Sequence, residues 1–94
     1  MRKPSDPIGI VYPSAENGLD DTKDFLNRIK EFDKTKQMKV LEYFLRSLAN
    51  QNRKFKGLIT NCKNGNQTRL LEKHSYWCVQ SSALATEARA KIEY

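Results

Sequence analysis

Residues 59–71 read ITNCKNGNQTRLL, and the fold turns on this stretch. An apolar periodicity runs up to Ile59 and Cys62, stops at Asn64-Gly65-Asn66, and resumes at Leu70. Glycine suits the left-handed position that follows a helix, and asparagine is a strong helix N-cap. The stretch therefore predicts one helix ending near 62, Gly65 turning the chain, and Asn66 capping the next helix. So short a connection forces the second helix to return antiparallel along the first.

The segment before the turn supports a long helix. Leu41, Leu45, Leu48, Phe55, Ile59 and Cys62 follow steps of four, three, seven, four and three, a heptad pattern in which Asn52 occupies the missing apolar position. Met38, Val40 and Phe44 widen the stripe at its start, and Asp33 is placed to cap it. Gly57 weakens the middle, and Ala49-Asn50-Gln51-Asn52 is a candidate bend. The expectation is one helix over 36–62 or two that meet near 50–53. Asn52 either marks that bend or fixes helix register through a buried hydrogen bond.

After the turn, Leu70, His74, Trp77, Ser81, Leu84, Ala88 and Ile92 fall on one stripe, with no proline or glycine from 67 onward. This predicts a helix over about 67–92. Antiparallel pairing sets Ile59 opposite Leu71, Asn52 opposite Cys78 and Leu45 opposite Ala85. The second half of this helix is rich in alanine and serine, so another surface can approach closely: the first helix, or a partner.

Upstream, Asp20 or Asp21 can cap a first helix over about 21–32, with Phe25, Leu26, Ile29 and Phe32 at helical spacing. Residues 1–19 hold all three prolines, which disfavours helix. They read as an extended or flexible segment resembling an interdomain connection, in which Ile8-Gly9-Ile10-Val11-Tyr12 can lie as a strap on the domain. The fold class is thus all-α: a bundle of three helices, or four if the second breaks, built on a long antiparallel hairpin. Residues 20–94 form its single domain.

Ninety-four residues with 38% hydrophobic and 30% charged side chains build a modest core and a wet surface, with little structure to spare for a deep pocket. No apolar stretch approaches the roughly 20 residues of a membrane span. Met1-Arg2-Lys3-Pro4 is basic but precedes no apolar run, so no secretory signal and no membrane partner are expected, and a cytoplasmic setting is. Cys62 and Cys78 lie too far apart in this geometry for a disulfide and read as reduced, packed thiols.

Charge is distributed unevenly. Residues 34–73 carry ten basic groups against Glu42 and Glu72, a net +8 within a chain total of +6. At 100° per residue, Lys39, Arg46 and Arg53 form a row opposite the apolar stripe. Lys36 and Lys54 flank it on one side and Lys56 on the other, with Tyr43 and Asn50 between. Lys63, Arg69 and Lys73 gather around the hairpin tip. Such a row can follow a nucleic-acid backbone, and Tyr43 can stack on an unpaired base. A helix that is merely solvated usually mixes both signs in i,i+4 pairs. No zinc-finger spacing and no RNP aromatic signature is present, and a long hairpin fits a helix-turn-helix poorly, so sequence-independent contact is expected.

Catalytic patterns are missing from the sequence, and an enzyme is not expected. His74 and Cys78 share a helical face, and Cys62 would be a third soft ligand, but the spacing matches no common zinc pattern. A packed histidine and no metal are the expectation, as is no cofactor, there being no phosphate-binding glycine loop. Asp20, Asp21, Asp24, Glu31 and Asp33 read as caps and surface charge, Trp77, Phe44 and Phe55 as core, and Tyr76 as a surface contact.

In size, charge and helical hairpin, region 20–94 resembles the small subunits of CRISPR effector complexes. That resemblance is architectural and transfers no site residue. It implies a basic bundle holding nucleic acid, DNA or RNA, inside a ribonucleoprotein complex beside other subunits or copies of itself. The competing expectation is a phage-type inhibitor or regulator that sets the same basic face against an acidic protein surface.

Overall fold

A computed structural model describes residues 12–93. These form three α-helices, α1 (Gly18–Arg28), α2 (Lys34–Asn61) and α3 (Gly65–Glu93), with 3-10 turns at Ala15–Asn17 and Ile29–Glu31. No strand occurs among the described residues. The all-α class and the hairpin of α2 on α3 are as expected. The Ile8–Val11 strap lies outside the described residues, but Tyr12 packs on Phe25 and Phe44 at ring separations of 5.2 and 5.9 Å.

The first helix starts earlier than its acidic residues suggest. Ser14 caps the Ala15–Asn17 turn by accepting from the Glu16 N–H, and α1 follows directly from Gly18. Residues 15–19 are therefore helical rather than extended. Neither Asp20 nor Asp21 is the N-cap. The Asp21 carboxylate turns back and accepts from the Ser14 N–H at 3.1 Å and from Asn17 Nδ2 at 3.4 Å, while Asp20 lies in the first turn, where negative charge favours the helix dipole. Gly18 makes the join possible, because its φ of 75° and ψ of −171° belong to a region that only glycine occupies readily.

Asp33 caps α2 as expected, accepting from the Lys36 N–H at 2.8 Å. Gln37 reaches back to donate to the Phe32 carbonyl at 2.6 Å, which fixes the corner before the helix. α2 then runs unbroken for 28 residues, about 42 Å at 1.5 Å per residue. The weighed break near 50–53 does not occur, since Asn52 there accepts a hydrogen bond from the Ser75 hydroxyl across the hairpin. Asn52 is the register device, not the bend. Phe55 meets the His74 ring at 5.3 Å and Glu42 pairs with Arg89 at 3.4 Å, so the register agrees with the expected pairing to within one turn.

At the hairpin tip, Asn64 is the cap, not Asn66. Its side chain accepts from the N–H groups of Asn66 and Gln67 at 2.9 and 3.2 Å. Gly65 is already helical and its φ is not positive. The turn uses no left-handed residue, because α2 ends on extended Cys62, whose N–H goes to the Ile59 carbonyl, while the Asn64 side chain satisfies the first free amides of α3.

The core is Phe25 and Ile29 from α1 and the turn after it, Val40, Leu41, Phe44 and Leu48 from α2, and Trp77, Cys78 and Ala85 from α3. α1 meets the small face of α3 around Ser81. Thr22 and Ser81, both fully buried, share a hydrogen bond at 2.9 Å, and Trp77 Nε1 donates to the Gly18 carbonyl at 3.0 Å. Leu70, expected on the stripe, is 53% exposed. At that end, among the described residues, α3 has only α2 as a neighbour, and Leu71, one position on, is half-buried.

Two glycines give opposite expectations. Gly57 is exposed within α2, and a Cβ there would meet nothing within 4 Å. Gly57→Ala is expected to raise stability by about 0.5–1 kcal/mol through helix propensity. A Cβ on Gly18 also meets nothing, but the backbone angles penalise it, so Gly18→Ala is expected to lower stability by about 1–3 kcal/mol. Thermal and urea unfolding of both variants measures the contrast.

Candidate nucleic-acid interface

Every candidate cation except Lys36 stands exposed: Lys39, Arg46, Arg53, Lys54 and Lys56 on α2, Lys63 in the loop, Arg69 and Lys73 on α3. Among the described residues none of these eight makes an ion pair. Lys36 is only half-exposed and its ammonium sits 4.2 Å from the centre of the Phe32 ring. It is therefore partly committed to a cation–π contact and belongs less fully to the set.

The structure gathers one local group. Arg46, Asn50 and Lys54 form one i,i+4 row on α2, and Tyr43, Ser47 and Gln51 form a second beside it. Together they line an open depression of about 220 Å³. Tyr43 is 43% exposed, and its ring lies 5.2 Å from that of Tyr12 with the planes 31° apart. The Gln51 amide donates to the Ser47 hydroxyl at 3.1 Å. Ser47 and Gln51 were not among the sequence candidates, although the second i,i+4 row was visible. The depression offers cations, amides and an aromatic edge, the groups that grip a phosphate backbone beside an unstacked base.

The remaining cations are placed differently. α2 and α3 turn their buried faces toward each other, so side chains opposite those faces point apart. The Lys39–Arg46–Arg53 row therefore leaves one side of the hairpin while Arg69 and Lys73 leave the other. The distal part of the hairpin is a two-helix arm with positive charge around it, not a single basic plane.

The soft side chains do not converge. His74 is half-buried against Phe55, Cys78 is buried, and Cys62 lies in the loop with its thiol 3.5 Å from the Asn64 carbonyl. Among the described residues no three His, Cys, Asp or Glu side chains are grouped to hold a metal ion. Both cysteines are free. Asp24 pairs with Arg28 at 2.6 Å on the surface of α1, and Asp33 is the α2 cap. Tyr76 is 62% exposed, on the surface as expected. Among the described residues no helix is long and apolar enough to cross a membrane.

No protein-family model, curated protein or solved structure matches this chain.

The thiols differ in a measurable way. Burial pushes the Cys78 thiol up from 9.0 to about 11, because a desolvated thiolate is disfavoured. A raised folded-state value stabilises the fold below pH 9, an advantage lost as pH rises from 9 towards 11. At pH 8 a disulfide reagent such as DTNB is expected to titrate Cys62 rapidly and Cys78 only on unfolding. Two fast thiols in the native protein would contradict the burial.

Proposed function

We propose that this protein is a non-catalytic nucleic-acid-binding subunit that neutralises phosphate charge through the exposed basic face of α2 and the hairpin tip. The observation that carries this reading is the set of eight exposed cations from Lys39 to Lys73 with no ion pair among the described residues. Lysine and arginine that are not held in ion pairs release bound counterions from a polyanion on contact, which favours association at low salt. Arg46 and Lys54 hold the backbone beside the depression, and Tyr43 offers its exposed edge to a base. The cations on both sides of the arm favour wrapping by, or insertion between, segments of a polyanion. Membership of a larger ribonucleoprotein complex, on the pattern of the CRISPR small subunits that the hairpin resembles, is part of this reading, as is a cytoplasmic setting.

Binding to random single- and double-stranded oligonucleotides across a salt series tests it. Five to eight phosphate contacts on duplex DNA predict a slope of log K against log salt of roughly −4 to −7. The paired substitution Arg46→Glu and Arg53→Glu is expected to flatten that slope by about 2 and weaken all sequences alike. A change in sequence preference would point instead to base readout. No binding near 50 mM salt, a condition under which phosphate contacts are strong, would overturn the reading and leave the arm to an acidic protein surface.

A further inference from the structure

At the end of the hairpin opposite the 62–64 loop lies a second surface with different chemistry. The molecule measures 46 × 32 × 20 Å, and its least dimension is about two helix diameters. α1 and the Ile29–Glu31 turn that extends it cover 14 residues, half the length of α2. α1 is tied to α3 at its start, through Gly18 to Trp77 and Thr22 to Ser81. Towards its other end an open groove of about 660 Å³ separates α1 from the last turns of α3.

The floor of that groove is apolar: Leu26, Ile29, Leu41, Leu84, Ala88 and Ile92. Its rim on α1 and the Ile29–Glu31 turn is Lys23, Asn27 and Lys30, spaced by four and three along one side. Across from them, Glu87 and Lys91 lie 3.7 Å apart and balance each other. Lys23 and Lys30 make no ion pair among the described residues. The groove thus combines apolar floor with one cationic edge about 10 Å long.

We infer that this groove docks an acidic amphipathic helix of a partner protein. Its apolar side chains at i, i+3 or i+4, and i+7 fill the floor between α1 and α3, and its aspartates or glutamates run along Lys23 and Lys30. Open apolar grooves between helices take helices in this way, with the flanking charge setting the partner. The docked helix would add a fourth element to a bundle that is two layers thick. Residues 1–11 of this chain suit the groove poorly, because Arg2 and Lys3 outnumber Asp6 and would meet a lysine rim. Nucleic acid suits it poorly because the floor is mainly apolar, and the amide of Gln37, the polar side chain that lines it between the rims, already donates to the Phe32 carbonyl. The inference does not depend on what the basic arm binds.

Two synthetic helical peptides of about 14 residues test it, each with leucines at i, i+3 or i+4, and i+7, one flanked by glutamates and one by lysines. With the isotope-labelled full chain, the glutamate peptide is expected to give saturable NMR shifts at Leu26, Leu84, Ala88 and Ile92. The lysine peptide should bind at least about tenfold more weakly. Lys23 and Lys30 are exposed, so Lys23→Glu with Lys30→Glu should leave the helical circular dichroism unchanged while reversing the preference between peptides. Shifts confined to the Arg46–Lys73 arm, or no saturation by about 1 mM peptide, would overturn the inference. So would groove signals that move with protein concentration alone, which would assign the groove to a second copy.

Discussion

Thr22 and Ser81 join α1 to α3, both fully buried, and share a hydrogen bond. A lone hydroxyl there would carry an unpaid desolvation cost of about 1–3 kcal/mol, so the pair is tolerated only because both members are present and aligned. The approach is possible because α3 presents Cys78, Ser81 and Ala85 on that line, all small. Trp77, beside the seam, fills the volume next to it and ties its indole N–H to Gly18. With α1 seated there, Phe25 reaches Phe44 and Tyr12 closes over both. Without the seam the hairpin would be a pair of helices with one face of its core open to water, which is not a stable layer arrangement.

That single docking contact divides the molecule. Beside α1 the core is dry, from Val40 through Leu48 and from Trp77 through Ala85. Beyond Asn52 the described residues form only two helices, and Phe55, Ile59, Cys62 and Leu71 are half-buried while Leu58 and Leu70 are exposed. Two helices alone bury little apolar surface, so the arm gains little from packing. It also carries a run of like charge that repels itself, which disfavours the compact state. Glu72 is the arm's one acid after Glu42, while the acids Asp20, Asp21, Asp24, Glu31 and Asp33 belong to the α1 region. A partner of opposite charge would relieve the arm's repulsion, and this energetic asymmetry supports the proposed binding role.

Much of this architecture was legible in the sequence because it is written in local terms. The Asp33 cap, the antiparallel return of α3 on α2 (read at 64–66, found at 62–64), and the exposed row Lys39–Arg46–Arg53 depend on nearest neighbours and helical period alone. Asn52 was recognisable as polar at an apolar position, but its role required its partner, Ser75. The move of the cap from Asn66 to Asn64 is local to the hairpin tip, but the other misses share one cause, the position of α1. The early start of α1 rests on the Ser14–Asp21 contact, and the exposure of Leu70 on the absence of α1 from the distal arm. Lys36 is drawn towards Phe32, whose ring is positioned by the corner between α1 and α2. The groove floored by Leu26, Leu84 and Ala88 was equally invisible, since no periodicity reports that two helices are separated at one end.

The position of the cations in space rests on the Asn52–Ser75 contact more than on any charge. Leu41, Leu45, Leu48, Phe55 and Ile59 form an apolar row that a one-turn slip of α3 would still meet with apolar surface, since burial is non-directional. A slip would set Asn52 against Cys78, whose buried thiol is at best a weak donor. The amide would then lose a full hydrogen bond in a partly dry interface. A single polar pair of this kind selects register at some cost in stability, as buried asparagines do in coiled coils. It also lies between the dry core and the charged arm. The same contact therefore holds Arg46 and Lys54, on the α2 side, at a defined height relative to Arg69 and Lys73 on α3. A hairpin free to slide by a turn would shift these groups by about 5.4 Å, close to the spacing of neighbouring phosphates, and would blur any fixed alignment with a backbone.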